Sequence, residues 1–203
     1  MKQNSKFYNI MLSIVKPFVK IFFPYEVKGL ENIKQDQNYI ICCNHLSNID
    51  PVFLMLTHAK CIYFMAKQEL FKNKFLGAIF SKMGAFAVKR GQGDKSALKT
   101  AEQILKNNNI LGIFIEGTRS KTGEFLRPKS GVAFLANNTQ SDILPVCITG
   151  GGKNNKVKMF KKTTIQYGSI IKYNAIKFDS GVRQKLKNST NLIMENIKKL
   201  REN

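Results

Sequence analysis

Six short apolar runs, near 38–43, 61–66, 85–88, 110–115, 143–149 and 163–168, alternate along this chain with helical stretches near 51–59, 74–83, 94–107 and 130–138. Strands interleaved with helices in this way predict an α/β sheet flanked by helices. At 203 residues and 43% hydrophobic content the chain can bury a sizeable core, and no Pro/Ser-rich linker divides it. One domain is therefore expected over 24–203. A lysine-rich amphipathic helix from about Ser180 to Glu202 is predicted to close it, and no internal repeat is evident.

The first apolar run, Tyr39 to Cys43, leads into Asn44-His45-Leu46-Ser47-Asn48-Ile49-Asp50-Pro51. Pro51 to Leu56 reads as the start of a helix, so His45 is expected on a strand-to-helix turn at the carboxyl end of a strand, where open α/β sheets bind ligands. Asp50 lies at the helix entrance, close enough in sequence to fold back on the imidazole and fix its tautomer. A histidine held this way is suited to taking a proton from a hydroxyl, since its ordinary pKa of roughly 6.5 lies near working pH. The plainer reading is that Asp50 caps a helix with proline at its first position.

A second run, Ile110 to Ile115, repeats the layout and ends in Glu116-Gly117-Thr118-Arg119-Ser120. Gly117 lets backbone approach a ligand closely, Thr118 supplies a hydroxyl, and an arginine such as Arg119 can clamp a phosphate through two parallel hydrogen bonds. The plainer alternative is a surface turn with an ordinary salt bridge. A His/Asp turn followed by an EGTR turn is more specific than either alone.

With these two motifs in this order the sequence resembles the glycerolipid acyltransferase family, most closely its bacterial 1-acylglycerol-3-phosphate (lysophosphatidate) acyltransferases. Asn44, His45, Asp50 and Pro51 match the family's first motif, and Phe114 with Glu116 to Ser120 its third. Met65 to Phe71 and Gly84 to Gly91 resemble the lysine-bearing segment and second motif, and Ile143 to Gly150 the fourth. Two departures stand out. Ile115 replaces the usual proline, and Ala87 and Lys89 stand where proline and aspartate are common.

The resemblance implies a single-domain mixed sheet flanked by helices, and transfer of a fatty acyl group from acyl-CoA or acyl-carrier protein to the sn-2 hydroxyl of lysophosphatidate. His45 would act as general base with Asp50 orienting it, as in a hydrolase triad without a protein nucleophile. Lys67 and Arg119, with Arg90 as a third, would hold the acceptor phosphate. Glu116, Gly117 and Thr118 would shape the turn, Glu116 by holding Arg119 or a glycerol hydroxyl. Other acceptors, such as glycerol 3-phosphate or another lysolipid, fit the same motifs.

The remaining polar residues suggest no rival site. Cys42, Cys43, Cys61 and Cys147 fall in or beside apolar runs without C-x-x-C spacing and read as buried thiols rather than a metal site. His58 reads as a helix-end residue, and Gly91-Gln92-Gly93 is too short for a nucleotide fingerprint. No metal or bound cofactor is expected. Thiol usage and the lack of a cleavable signal suggest a reducing, cytosolic setting.

A formal charge of +20 calls for an anionic partner, and nearly all the excess is lysine. Anionic lipid is the favoured one, since each Lys near such a surface contributes about 1 kcal/mol. A non-catalytic lipid- or nucleic-acid-binding protein is the alternative, but scarce arginine and the absence of a recognition motif leave nucleic acid unexpected. Residues 1–23 read as an amphipathic helix with Lys2, Lys6, Lys16 and Lys20 on one stripe and Phe7, Met11, Ile14, Phe18, Ile21 and Phe22 opposite. Lys16, Pro17 and Lys20 interrupt it, so it is expected to lie in the membrane surface rather than cross it, placing the protein peripherally on the cytoplasmic face. Packing against the protein's own core is the other reading.

Overall fold

Ile40 to Cys43 form a strand, β2, in which all four side chains are buried. Alternate residues of a strand point to opposite faces. A strand with no exposed position must therefore be covered on both sides, which explains its unbroken apolar sequence. The computed structural model describes residues 5–34, 36–89, 94–177 and 183–202. Around β2 stand β1 (Tyr25–Lys28), β3 (Ile62–Lys67), β4 (Ala85–Val88), β5 (Ile110–Phe114), β6 (Ile143–Thr149) and β7 (Thr163–Tyr167). The helices are α1 (Ser5–Phe22), α2 (Asp50–Thr57), α3 (Lys74–Lys82), α4 (Lys95–Lys106), α5 (Gly131–Thr139), α6 (Tyr173–Ile176) and α7 (Arg183–Glu202).

The strands form one mixed sheet in the order β1-β7-β6-β2-β5-β3-β4, with β6 and β7 antiparallel and the other neighbours parallel. β2 lies between β5 and β6, so the chain leaves β2 for one half of the sheet and later fills both sides of it. That is a topological switch point, and its crevice opens at the carboxyl ends of the strands. Both motif turns leave the sheet there, one after β2 and one after β5.

Each face has its own core. Ile40 and Cys42 of β2 meet α4, α5, α6 and α7 through residues such as Ala101, Leu105, Leu135 and Ile193. Ile41 and Cys43 meet α1 and α2 through Tyr8, Val19, Phe53 and Leu54. Asn73 and Asp94 cap α3 and α4, each accepting two backbone N–H bonds. All four cysteines are free, three of them buried.

Two features depart from the sequence expectations. β1 was not anticipated, because half of its Tyr-Glu-Val-Lys sequence is charged. It is an edge strand on which Glu26 pairs with Lys162 at 2.8 Å and accepts from Thr164 Oγ1 at 2.9 Å; charge is well suited to an edge. α1 carries not one apolar face but two. Tyr8, Leu12, Val15 and Val19 turn onto the core, while Ile10, Ile14, Phe18 and Ile21 are exposed by half or more. Lys6, Lys16 and Lys20 occupy the exposed arc between them. The helix is thus part of the domain and also presents a free apolar stripe.

Candidate active site

After β2 the chain makes a tight turn whose geometry is set by one carboxylate oxygen. Asp50 Oδ2 accepts from His45 Nδ1 at 2.8 Å, from Leu46 N–H at 2.6 Å and from Ser47 N–H at 2.8 Å. Asp50 is the first residue of α2, with Pro51 following, and its side chain makes no helix cap. The capping reading of Asp50 is therefore wrong: the carboxylate turns back over its own loop. Both residues are buried, Asp50 completely and His45 to 95%. With Nδ1 held as the donor, Nε2 is the ring nitrogen left to take a proton.

The imidazole rests on a floor of aromatic rings. Phe114, the last residue of β5, stacks on it with centroids 3.9 Å apart and planes within 15°. Phe64 of β3 stacks in turn beneath Phe114 at 5.9 Å. Gly112 makes room for this, because a Cβ there would lie 2.2 Å from the Phe64 ring. Asn44 anchors the other side through a reciprocal pair with β6, donating to Ile148 O at 2.9 Å and accepting from Ile148 N–H at 2.8 Å. The two motifs are tied directly, since Ser120 N–H donates to His45 O at 2.8 Å. The amides of Leu46, Ser47 and Ser120 are all engaged in this way and are not free to serve as an oxyanion hole.

The second motif divides between interior and surface. Gly117, Thr118 and Arg119 are exposed, Gly117 at φ 68°, a left-handed conformation suited to glycine. Glu116 is 98% buried, and neither carboxylate oxygen has a side-chain hydrogen-bond partner. It therefore does not hold Arg119, the first of the two roles expected for it from sequence. Burial raises its pKa to about 7, opposed by the backbone amides of Leu126 and His45 and by the charge of Arg201. Lys67 ends β3 on the same edge of the sheet, exposed and paired with Glu69 at 3.0 Å. Arg90 and the Gly91 to Gly93 turn lie outside the described residues.

His58 is also buried, contacting Tyr39 Oη at 2.9 Å, with its pKa lowered chiefly by desolvation. It braces the end of α2 away from the motif turns. A largely apolar cavity of about 420 Å³ is lined by Met65, Val88, Leu98, Ile113 and Phe114, with Lys89, Asp94 and Lys129. Phe114 is shared between this cavity and the His45 stack. Arg201, which no sequence pattern singles out, reaches the underside of the site from α7.

A general acyltransferase family model matches residues 24–149. The chain belongs to this acyltransferase family. A 1-acyl-sn-glycerol-3-phosphate acyltransferase of Bacillus subtilis is 31% identical over 158 residues, covering 76% of each chain. One of Streptococcus pneumoniae is 32% identical over 70% of this chain and 53% of its own length. The crystal structure of the lysophosphatidate acyltransferase PlsC from Thermotoga maritima shares the fold at a TM-score of 0.73 and 25% identity, covering 100% of this chain and 85% of that one.

The buried Glu116 makes a prediction for stability. With its folded pKa raised from 4.5 to about 7, it favours the fold most below its ordinary value, and that contribution is lost as pH rises through 7. Glu116→Gln has no proton to lose. Its melting temperature relative to the parent should rise between pH 5 and pH 8; an offset independent of pH would show that Glu116 is not held in this state.

Proposed function

We propose that the protein transfers a fatty acyl group from acyl-CoA or acyl-carrier protein to the sn-2 hydroxyl of 1-acylglycerol 3-phosphate, giving phosphatidic acid. The observation that carries this reading is the His45–Asp50 pair, with Nδ1 bonded to carboxylate and Nε2 left for the substrate. In the proposed step Nε2 removes the acceptor's proton as its oxygen attacks the thioester carbonyl. The tetrahedral intermediate then collapses, and the imidazolium returns the proton to the departing thiolate. Asp50 stabilises that imidazolium without taking its proton. The step moves one proton and one acyl group and balances with these residues and the two substrates alone.

The substrates are assigned by chemistry. Arg119 and Lys67, exposed cations after neighbouring strands, suit the acceptor phosphate, Arg119 with a bidentate fork. The apolar cavity behind Phe114 suits an acyl chain. It shares Lys129 with a polar groove of about 800 Å³ that also holds Arg127 and Lys187, a fitting place for the phosphate-bearing carrier of the donor. Thiol release should be stimulated by lysophosphatidate far more than by glycerol 3-phosphate or lysophosphatidylcholine. His45→Ala should lower it by about 10²–10⁴-fold. Arg119→Ala should cost about 1.5–3 kcal/mol in use of lysophosphatidate, only partly restored by Lys. Preference for another acceptor, or loss confined to donor affinity, would contradict the assignment.

The proposed workplace is the cytoplasmic face of the cell membrane, reached from the surface. No helix among the described residues is long and apolar enough to cross a bilayer. The free stripe of α1 continues onto Phe160, which packs on Phe22 at 5.7 Å and is 64% exposed. Lysines border this stripe, a composition suited to anionic headgroups above an acyl boundary. Phe18→Ser with Ile21→Ser should weaken sedimentation with both anionic and neutral vesicles, whereas Lys16→Gln with Lys20→Gln should weaken it on anionic vesicles alone. Because these side chains face outward, unfolding of either variant would contradict the division of α1 into core and membrane faces.

A further inference from the structure

The C-terminal helix sends one cation into the site. The Arg201 guanidinium lies over the Phe125 ring at 3.7 Å, and its Nη1 donates to Gly123 O at 3.1 Å. Gly123 N–H donates to Ser120 Oγ at 3.0 Å, and Ser120 N–H donates to His45 O at 2.8 Å. An unbroken path of three hydrogen bonds thus joins α7 to the backbone of the general base. Gly123 holds a left-handed φ of 88°, and a Cβ there would lie 1.6 Å from Asn154 O, so this turn has little room to rearrange.

Nε and Nη2 of the same guanidinium are buried with no oxygen or nitrogen partner, only the Cys147 thiol lying beside it, and both Glu116 oxygens are buried with no partner but the backbone amides of Leu126 and His45. Leaving buried polar atoms unpaired is costly, more so when they are charged. Two such complementary sets in one interior are difficult to explain as packing. The groups whose charges act on Glu116 are Asp50 from the first turn and Arg201 from α7; Cys43 of β2 and Cys147 of β6 are coupled to it from the sheet. Arg201 is the cation of this set.

We infer that Arg201 is a positioning residue of the acyltransferase site: it holds the 116–123 turn against His45 and supplies the counter-charge for Glu116 beneath it. This rests on the reaction proposed above, but acts through the turn and not through contact with either substrate. Cation, fork and ring contact have separable roles. A lysine keeps the charge but cannot reproduce the planar fork, whereas glutamine keeps some hydrogen bonding and loses the charge.

The test compares Arg201→Gln, Arg201→Lys and the parent by steady-state kinetics across pH and by infrared titration of the Glu116 carboxyl, identified by its loss in Glu116→Gln. Arg201→Gln should lower kcat by about 10-fold to 10²-fold, the scale of a small misplacement of reacting groups, with a smaller change in KM. It should also move the acid limb of the pH profile and the Glu116 titration to higher pH, since the opposing cation is gone. Arg201→Lys should leave both near their parental positions while retaining part of the kcat loss. Parental kcat in Arg201→Gln, or equal losses in both variants with no movement of the Glu116 titration, would reduce Arg201 to an anchor of α7 and overturn the inference. If Arg201→Gln does not fold, recovery of folding in Glu116→Gln/Arg201→Gln supports the counter-charge, and failure to recover overturns it. A parent inactive with every acceptor would sink the proposed reaction, while the infrared titration would still decide the role of Arg201.

Discussion

One carboxylate oxygen organises the active turn. Asp50 Oδ2 gathers the imidazole Nδ1 and two backbone amides within 2.8 Å, so the conformation of the loop and the tautomer of the His45 ring are set by the same acceptor. Hydrogen bonds to a charged acceptor contribute about 1.5–3 kcal/mol each, and removing the acceptor from an interior leaves its donors unsatisfied. The price of this economy is that the loop amides are occupied, so in the proposed reaction the oxyanion would be stabilised from elsewhere on the rim.

The surrounding fold serves to keep that turn still. β2 is central in the sheet, its carboxyl end lies at the switch point, and α2 begins at Asp50 itself. Two neighbouring strands and one turn then each make a contact: β5 through the Phe114 ring, β6 through the Asn44 pair, and the turn after β5 through Ser120. Stacking on Phe114 buries one face of the imidazole and leaves its edge as the reactive part. Catalytic geometry held by secondary-structure elements is more precise than geometry held by loops alone.

Much of this was legible in the sequence. The alternation of apolar runs and helical stretches identified six of the seven strands, and the spacing of His45 to Asp50 anticipated their contact. What escaped it has physical causes. β1 carries two charges in four residues and gains its strand identity from β7. The inward face of α1 is invisible because a helix apolar on more than half its circumference does not declare which part meets the core. Glu116 reads as a turn residue that holds Arg119 or a glycerol hydroxyl, because four polar or glycine neighbours follow it, yet the turn after β5 buries it. Gly112 and Arg201 depend on contacts across 48 and 78 residues of chain, with Phe64 and Gly123, and no local pattern encodes such contacts.

In the proposed reaction the acceptor hydroxyl attacks the thioester directly, with His45 as base and no acyl-enzyme between. Rapid acid quenching of the enzyme with labelled acyl donor tests this most directly. Without acceptor no label should stay on the protein and no burst of free thiol should appear, and with lysophosphatidate label should pass to phosphatidic acid in a single phase. A stoichiometric burst of thiol without acceptor, with label retained on Ser47 or a cysteine and then chased into product, would contradict it.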